Sequence, residues 1–310
     1  MLRSHRLTVG PDIMHFSEHP LPQPFFRRCH VVLILWAIGL AFALPFRNVY
    51  ADSIANAPST LARTVVDASE YPWSAVGRVN ISGVSSRSHC TGSLIGERIV
   101  LTAAHCLYFR PTKRYAAPQL INFVAGYQRE KYVAHSTAIQ IIPSPNFNGE
   151  LWADPSNMEH DWAIVILKDP IGRKAGYLGF QALDAETLKQ MIDTKQYFSL
   201  AGYPKDRAHV ISVDNACRIL GFLGHGELLS HSCEIVSGDS GAPIAIRTKS
   251  GLQVIGLNSA TNVPLTDGTV TNTAVPIYTI LNLVERAIRH TEMNAVFSSD
   301  NSREGQGPVE

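Results

Sequence analysis

Residues 93–106 read Ser93-Leu94-Ile95-Gly96-Glu97-Arg98-Ile99-Val100-Leu101-Thr102-Ala103-Ala104-His105-Cys106. Two apolar runs of a few residues, 93–95 and 99–101, flank a glycine, and a histidine follows soon after the second. Runs this short, bounded by a turn residue, predict strands. The same pattern extends outward to apolar runs at 74–79, 121–125, 163–167, 197–201 and 254–257. Gly92, Gly172, Gly202-Tyr203-Pro204 and Gly251 mark turns between such runs. Many short strands without alternating helices predict an all-β sandwich or barrel. A single late segment differs. Ile277, Ile280, Leu281, Val284 and Ile288 recur at helical spacing after Pro276 and before His290, which predicts a closing amphipathic helix. The polar, aperiodic stretch 298–310 reads as a frayed end.

Composition narrows the function classes. Hydrophobic residues make up 45% and charged residues 17% of 310, enough apolar material for a sizeable core and unlike a disordered chain. Lys and Arg number 27 against 26 Asp and Glu, for a formal net charge of +1. With no dense basic run to follow phosphates, nucleic acid is not an expected partner.

The N-terminus reads as an address. Residues 31–44, VVLILWAIGLAFAL, follow Arg27-Arg28 and lead to the small Ala51. Basic flank, short apolar stretch and small-residue exit predict a signal peptide, cut after Ala51, and a secreted or periplasmic product. An uncleaved apolar segment would instead anchor the chain to a membrane, although a spanning helix wants about 20 apolar residues. The division expected is 1–51 as the signal-bearing segment, 52–63 as linker or propeptide, 64–291 as the folded domain and 292–310 as a flexible tail. Of the cysteines, Cys29 would leave with the signal. Cys90, Cys106, Cys217 and Cys233 would remain, with three pairings open. Local pairing would close two loops of equal separation, each contributing about 3 kcal/mol in the chain-entropy picture. A zinc site at His105 and Cys106 lacks any Cys-x-x-Cys support, so neither metal nor other cofactor is expected.

Three fragments carry chemistry: Thr102-Ala103-Ala104-His105-Cys106, His160-Asp161-Trp162 and Gly238-Asp239-Ser240-Gly241-Ala242-Pro243. Singly, each has a bland reading as a structural histidine, a turn aspartate or a tight turn. In the order His, Asp, Ser they fit one reaction. A serine hydroxyl needs a base to take its proton, and an imidazole needs a carboxylate to fix its tautomer. Glycines beside the serine allow a turn whose amides converge on one spot; Gly238 and Ser240 are the natural oxyanion donors.

With these residues in place, the chain resembles the chymotrypsin-fold, trypsin-like serine proteases over most of 64–291. Gly202-Tyr203-Pro204 and Ala274-Val275-Pro276-Ile277 resemble the glutamyl-endopeptidase-like branch more than the digestive enzymes. The resemblance implies two six-stranded antiparallel β-barrels with a C-terminal α-helix and a cleft between the barrels. It implies a triad of His105, Asp161 and Ser240 and a disulfide beside the histidine. Digestive members begin at an Ile-Val-Gly-Gly whose amine pairs with the aspartate before the serine. Here Asp239 is present, and Arg63-Thr64-Val65-Val66 stands upstream, so cleavage near Arg63 would be the analogous activation.

For specificity, the resemblance puts Glu234, six residues before Ser240, at the pocket base, where a Lys or Arg side chain would be a sensible guest. The alternative has Glu234, beside Cys233, facing solvent. Asn258, Ser259, Ala260 and Thr261 resemble the wall that binds substrate backbone. Glutamyl endopeptidases carry His where Asn258 stands, which argues against acidic preference. The function expected is a secreted serine endopeptidase acting on protein or peptide substrates. Two alternatives rank below it: a silent protease-fold binding module, which usually lacks a triad member, and an esterase, for which the Gly-x-Ser-x-Gly elbow is missing.

Overall fold

A computed structural model describes residues 63–82, 89–151 and 154–304. The signal-like run, Ala51, Cys29, most of the 52–63 linker and the last six residues of the expected tail lie outside this range.

The first six main strands are β1 (Val76–Ile81), β2 (His89–Leu94), β3 (Ile99–Thr102), β4 (Ile121–Ala125), β5 (Ala134–Pro143) and β6 (Ala163–Leu167). They close into an antiparallel barrel in the order β1-β2-β3-β6-β5-β4, with β4 returning to β1. Closure removes the exposed edges that a sheet of this size would otherwise present. Leu94, Val100, Leu101, Ile121, Phe123, Ile164 and Ile166 are buried on the two faces of its strands, each contributing roughly 1.5–3 kcal/mol by leaving water.

A second sheet is built from β7 (Phe198–Gly202), β8 (Ser212–Cys217), β9 (Ile219–Leu223), β10 (Leu228–His231), β11 (Pro243–Thr248), β12 (Gly251–Pro264) and β13 (Val270–Pro276). Its order is β8-β7-β11-β12-β13-β10-β9, with the short Thr64–Val65 on the outer side of β8. The end strands β8 and β9 are separated in the chain by Arg218 alone, so the sheet turns back on itself there. It takes the place of the second barrel of the two-barrel fold, but with seven main strands rather than six and, among the described residues, without a hydrogen-bonded closure between its end strands. One short parallel pairing, Gly179–Phe180 against Gln253–Val254, departs from the antiparallel expectation.

Disulfides join Cys90 to Cys106 and Cys217 to Cys233, each closing a separation of 16. Of the three open pairings, the local one is realised. Helix α1 (Ala185–Asp193) packs against β9, and its first turn is capped by Asp184, whose carboxylate accepts from the Thr187 amide at 2.7 Å. Helix α2 (Ile277–Glu304) buries Ile277, Ile280 and Val284 as its periodicity predicts. Its backbone continues beyond 291 into the stretch expected as tail. A helix satisfies its hydrogen bonds locally, so it outlasts the apolar stripe that docks it. No helix among the described residues is long and apolar enough to cross a membrane.

Candidate active site

Strand register brings two of the three fragments together. Thr102, the last residue of β3, pairs with Ala163, the first of β6. The chain leaving β3 therefore carries His105, and the chain entering β6 carries Asp161, to the same end of the barrel. His105 sits in a tight 3₁₀ turn, Ala104–Cys106, held from behind by the Cys90–Cys106 bridge to β2. Its Nδ1 lies 2.7 Å from Asp161 Oδ2, and its own amide donates to Asp161 Oδ1 at 2.9 Å. The Ser259 hydroxyl, from β12 of the other barrel, donates to Asp161 Oδ2 at 2.6 Å. Asp161, with its side chain 1% exposed, is thus a carboxylate with three donors. A carboxylate facing Nδ1 keeps the ring proton there, which makes Nε2 the acceptor nitrogen of the ring.

The third fragment is shaped by its glycines. Gly238 has φ +102° and Gly241 φ +78°, conformations that a side chain would strain. Across a trans peptide, a carbonyl and the following amide point in opposite directions. The Ser237 carbonyl accepts from the Lys205 amide at 2.7 Å, and the Asp239 carbonyl accepts from Asn258 Nδ2 at 3.0 Å. Both carbonyls being anchored, the amides of Gly238 and Ser240 face the other way. Among the described residues, nothing accepts from them. Thr91, on β2, clamps the same turn from the first barrel: its amide donates to the Ser240 carbonyl at 2.9 Å and its hydroxyl to the Gly238 carbonyl at 2.8 Å. His105, Gly238, Ser240 and Ser259 open on one cleft of about 1320 Å³.

Ser259, Ala260 and Thr261 line this cleft. Asn258 is buried beneath it and holds the Ser240 turn through the Asp239 carbonyl. Glu234 is not among the lining residues. Its amide donates to Asp214 Oδ2 at 2.8 Å, its carbonyl accepts from Arg63, and its side chain is exposed. It lies six positions before Ser240 and directly after the disulfide-bonded Cys233.

The sequence reading assigned no site role to Thr91, Tyr115 or His231, and gave Arg63 no part beyond a cleavage point. Burial, with the Asp161 charge adding to it, pushes the Tyr115 phenol up to about 12, so this cleft residue stays neutral. His231, wholly buried, is lowered to about 4 by desolvation and stays neutral near pH 7. Asp239 is pulled in two directions: burial pushes its carboxyl up, and the Arg63 guanidinium in contact with it opposes that rise. The only local signal for these roles was an uncommon one, a polar residue such as Thr91 or His231 inside an otherwise strand-like run.

Comparison with known proteins adds the family context. The trypsin family model matches residues 63–284. A glutamyl endopeptidase of Bacillus licheniformis is 26% identical over 186 residues, covering 60% of this chain and 53% of that protein. Clotting factor C of Tachypleus tridentatus is 30% identical over 109 residues, covering 33% of this chain and 10% of its own length. The chain thus spans about half the length of the first of these relatives and a tenth of the second. A solved structure of Glu endopeptidase in complex with MPD superposes with a TM-score of 0.58 at 18% identity, covering 74% of this chain and 98% of that one. That likeness concerns the fold.

Proposed function

The chain belongs to the trypsin family, and from that premise we propose that it is an exported serine endopeptidase working through an acyl-enzyme. The observation that carries the reading is the 2.7 Å contact between His105 Nδ1 and Asp161 Oδ2 at the cleft into which Ser240 opens. Ser240 Oγ attacks the peptide carbonyl carbon while His105 Nε2 takes the hydroxyl proton. The oxyanion that forms is met by the Gly238 and Ser240 amides. His105 then gives the proton to the departing amine, leaving an ester on Ser240. Water, deprotonated by His105, cleaves that ester and restores the enzyme. Asp161, facing Nδ1, steadies the imidazolium that forms.

Two disulfides suit an oxidising compartment and support export. For side-chain preference, Arg110, Arg114 and His89 line the cleft, and no carboxylate does among the described residues. That charge pattern favours acidic over basic substrate side chains and goes against the Lys or Arg guest that Glu234 suggested. The name of the Bacillus relative, glutamyl endopeptidase, agrees with this direction.

The test is labelling with a fluorophosphonate probe beside Ser240→Ala. Labelling and peptidase activity confined to the wild type, with the two proteins melting together, is the expected result. A Ser240→Ala protein that still hydrolyses peptides would remove the assigned nucleophile.

A further inference from the structure

Asp239 is fully buried one residue before Ser240, and a buried carboxylate is costly unless a cation or several donors meet it. The cation comes from 176 positions away. Arg63 Nη1 lies against Asp239 Oδ2 and also donates to the Glu234 carbonyl at 3.2 Å, while Nη2 donates to the Ser212 carbonyl at 2.8 Å. The two side chains are 2% and 0% exposed. Asp239 Oδ2 accepts a further bond from the Val236 amide at 3.1 Å. One guanidinium therefore ties β8, the segment after Cys233 and the nucleophile turn into a single unit.

We infer that Arg63 is a positioning residue: its guanidinium holds the turn from Val236 to Gly241 in the form that aims the Gly238 and Ser240 amides into the cleft, so the chain is competent with the Arg63–Thr64 bond intact. The inference rests on the endopeptidase reading above. Without Arg63, the Asp239 carboxylate must take up a proton or swing toward water. Because its main chain lies between the two amides, a swing turns them out of register.

The same contacts bear on cleavage. Thr64 is exposed but pairs with Val213 at the head of the second sheet, and Arg63 is itself buried, so both sides of this bond are tied into the fold. Cutting there would free the residue that supplies the countercharge. The expectation of activation at this bond is thereby reversed: an intact bond supports activity. Other carboxylates near the pair are Asp214, which accepts from the Glu234 amide, and Asp206, whose charge reaches Asp239. Neither carries a positive charge that could stand in for Arg63.

The experiment compares wild type, Arg63→Met and Arg63→Lys as full chains, with the Arg63–Thr64 bond verified intact by mass spectrometry. Readouts are kcat and KM on a peptide substrate, rate of fluorophosphonate labelling, and thermal melting. Arg63→Met should lower kcat about 10²-fold or more, the scale of losing an oxyanion donor, with KM changed less than about threefold. Methylguanidine should restore part of the lost rate. Arg63→Lys should recover most activity near pH 7 and lose it as the lysine deprotonates. Wild type should keep its rate through the same range, because arginine does not titrate there.

Wild-type kcat in folded Arg63→Met, or a wild type that labels only after being cut at this bond, overturns the inference and leaves the endopeptidase reading standing. If Arg63→Met does not fold, the Arg63→Lys profile decides, and an alkaline limb identical to wild type counts against it. A wild type that never labels, cut or uncut, overturns the endopeptidase reading and this inference with it.

Discussion

Asp161 shows how much one carboxylate can organise. It receives the His105 ring, the His105 amide and the Ser259 hydroxyl, so its position is determined by both barrels. Replacing it with Asn would preserve shape and remove the charge that keeps the proton on Nδ1. Asp161→Asn is expected to lower kcat on the order of 10⁴-fold, with the rate of fluorophosphonate labelling falling alongside it. Steady-state kinetics checks this, and a loss of only a few-fold would assign the orienting work to another carboxylate. The three fragments that meet here were legible in the sequence because each pairs a reactive side chain with distinctive neighbours. Arg63 was legible only as a cleavage point. Its partner lies 176 positions away, and a lone arginine in a polar stretch carries no sign of burial.

Among the elements, Ile121–Ala125 and Ala163–Leu167 were readable to the residue, since continuous or alternating apolar runs have few competing interpretations. Strands β8, β10 and β13 were not. Ser212–Cys217 and Val270–Pro276 carry Ser, Asp, Asn and Thr at buried or half-buried positions, where side-chain bonds such as Ser230 to Thr271 at 2.5 Å satisfy some of the polar groups, though not the Ser212 hydroxyl. A hydrophobicity pattern cannot see that satisfaction. Helix α1 had only nine residues and a single capping aspartate to announce it. His231, ending β10, turns this buried polarity into a pH dependence. Its folded value, about 4, lies below the ordinary 6.5, so the unfolded chain binds the proton more readily. Stability from this residue is then present above pH 6.5 and is lost as pH falls toward 4, by up to about 3 kcal/mol. Urea midpoints measured from pH 7 to pH 4 should fall, and His231→Met should flatten that fall. An equal slope in the variant would place the acid sensitivity in another group.

At the scale of the whole molecule, a chain of net charge +1 has a cleft whose described lining holds Arg110 and Arg114 and no carboxylate. Overall charge and cleft charge are therefore separate quantities, and the second governs which substrates are drawn in. Low-dielectric walls focus such a field, and salt screens it over about 10 Å at 0.1 M. Peptides carrying Glu or Asp near the scissile bond should be cut with higher kcat/KM than isosteric Gln or Asn peptides. The advantage should shrink several-fold as salt rises from about 0.05 to 0.5 M. Arg110→Ala with Arg114→Ala should remove most of the advantage by raising KM for the acidic peptides, without altering kcat for the neutral ones. Arg110 opens a 3₁₀ turn and Arg114 a two-residue strand after the histidine turn, while the groups that donate to Asp161 belong to His105 and Ser259, so the chemical step is expected to survive their loss. Library profiling at two salt concentrations reads the outcome. A best substrate with Lys or Arg before the cut, or a salt-independent acidic preference, would mean that recognition comes from fitted contacts rather than the cleft's field.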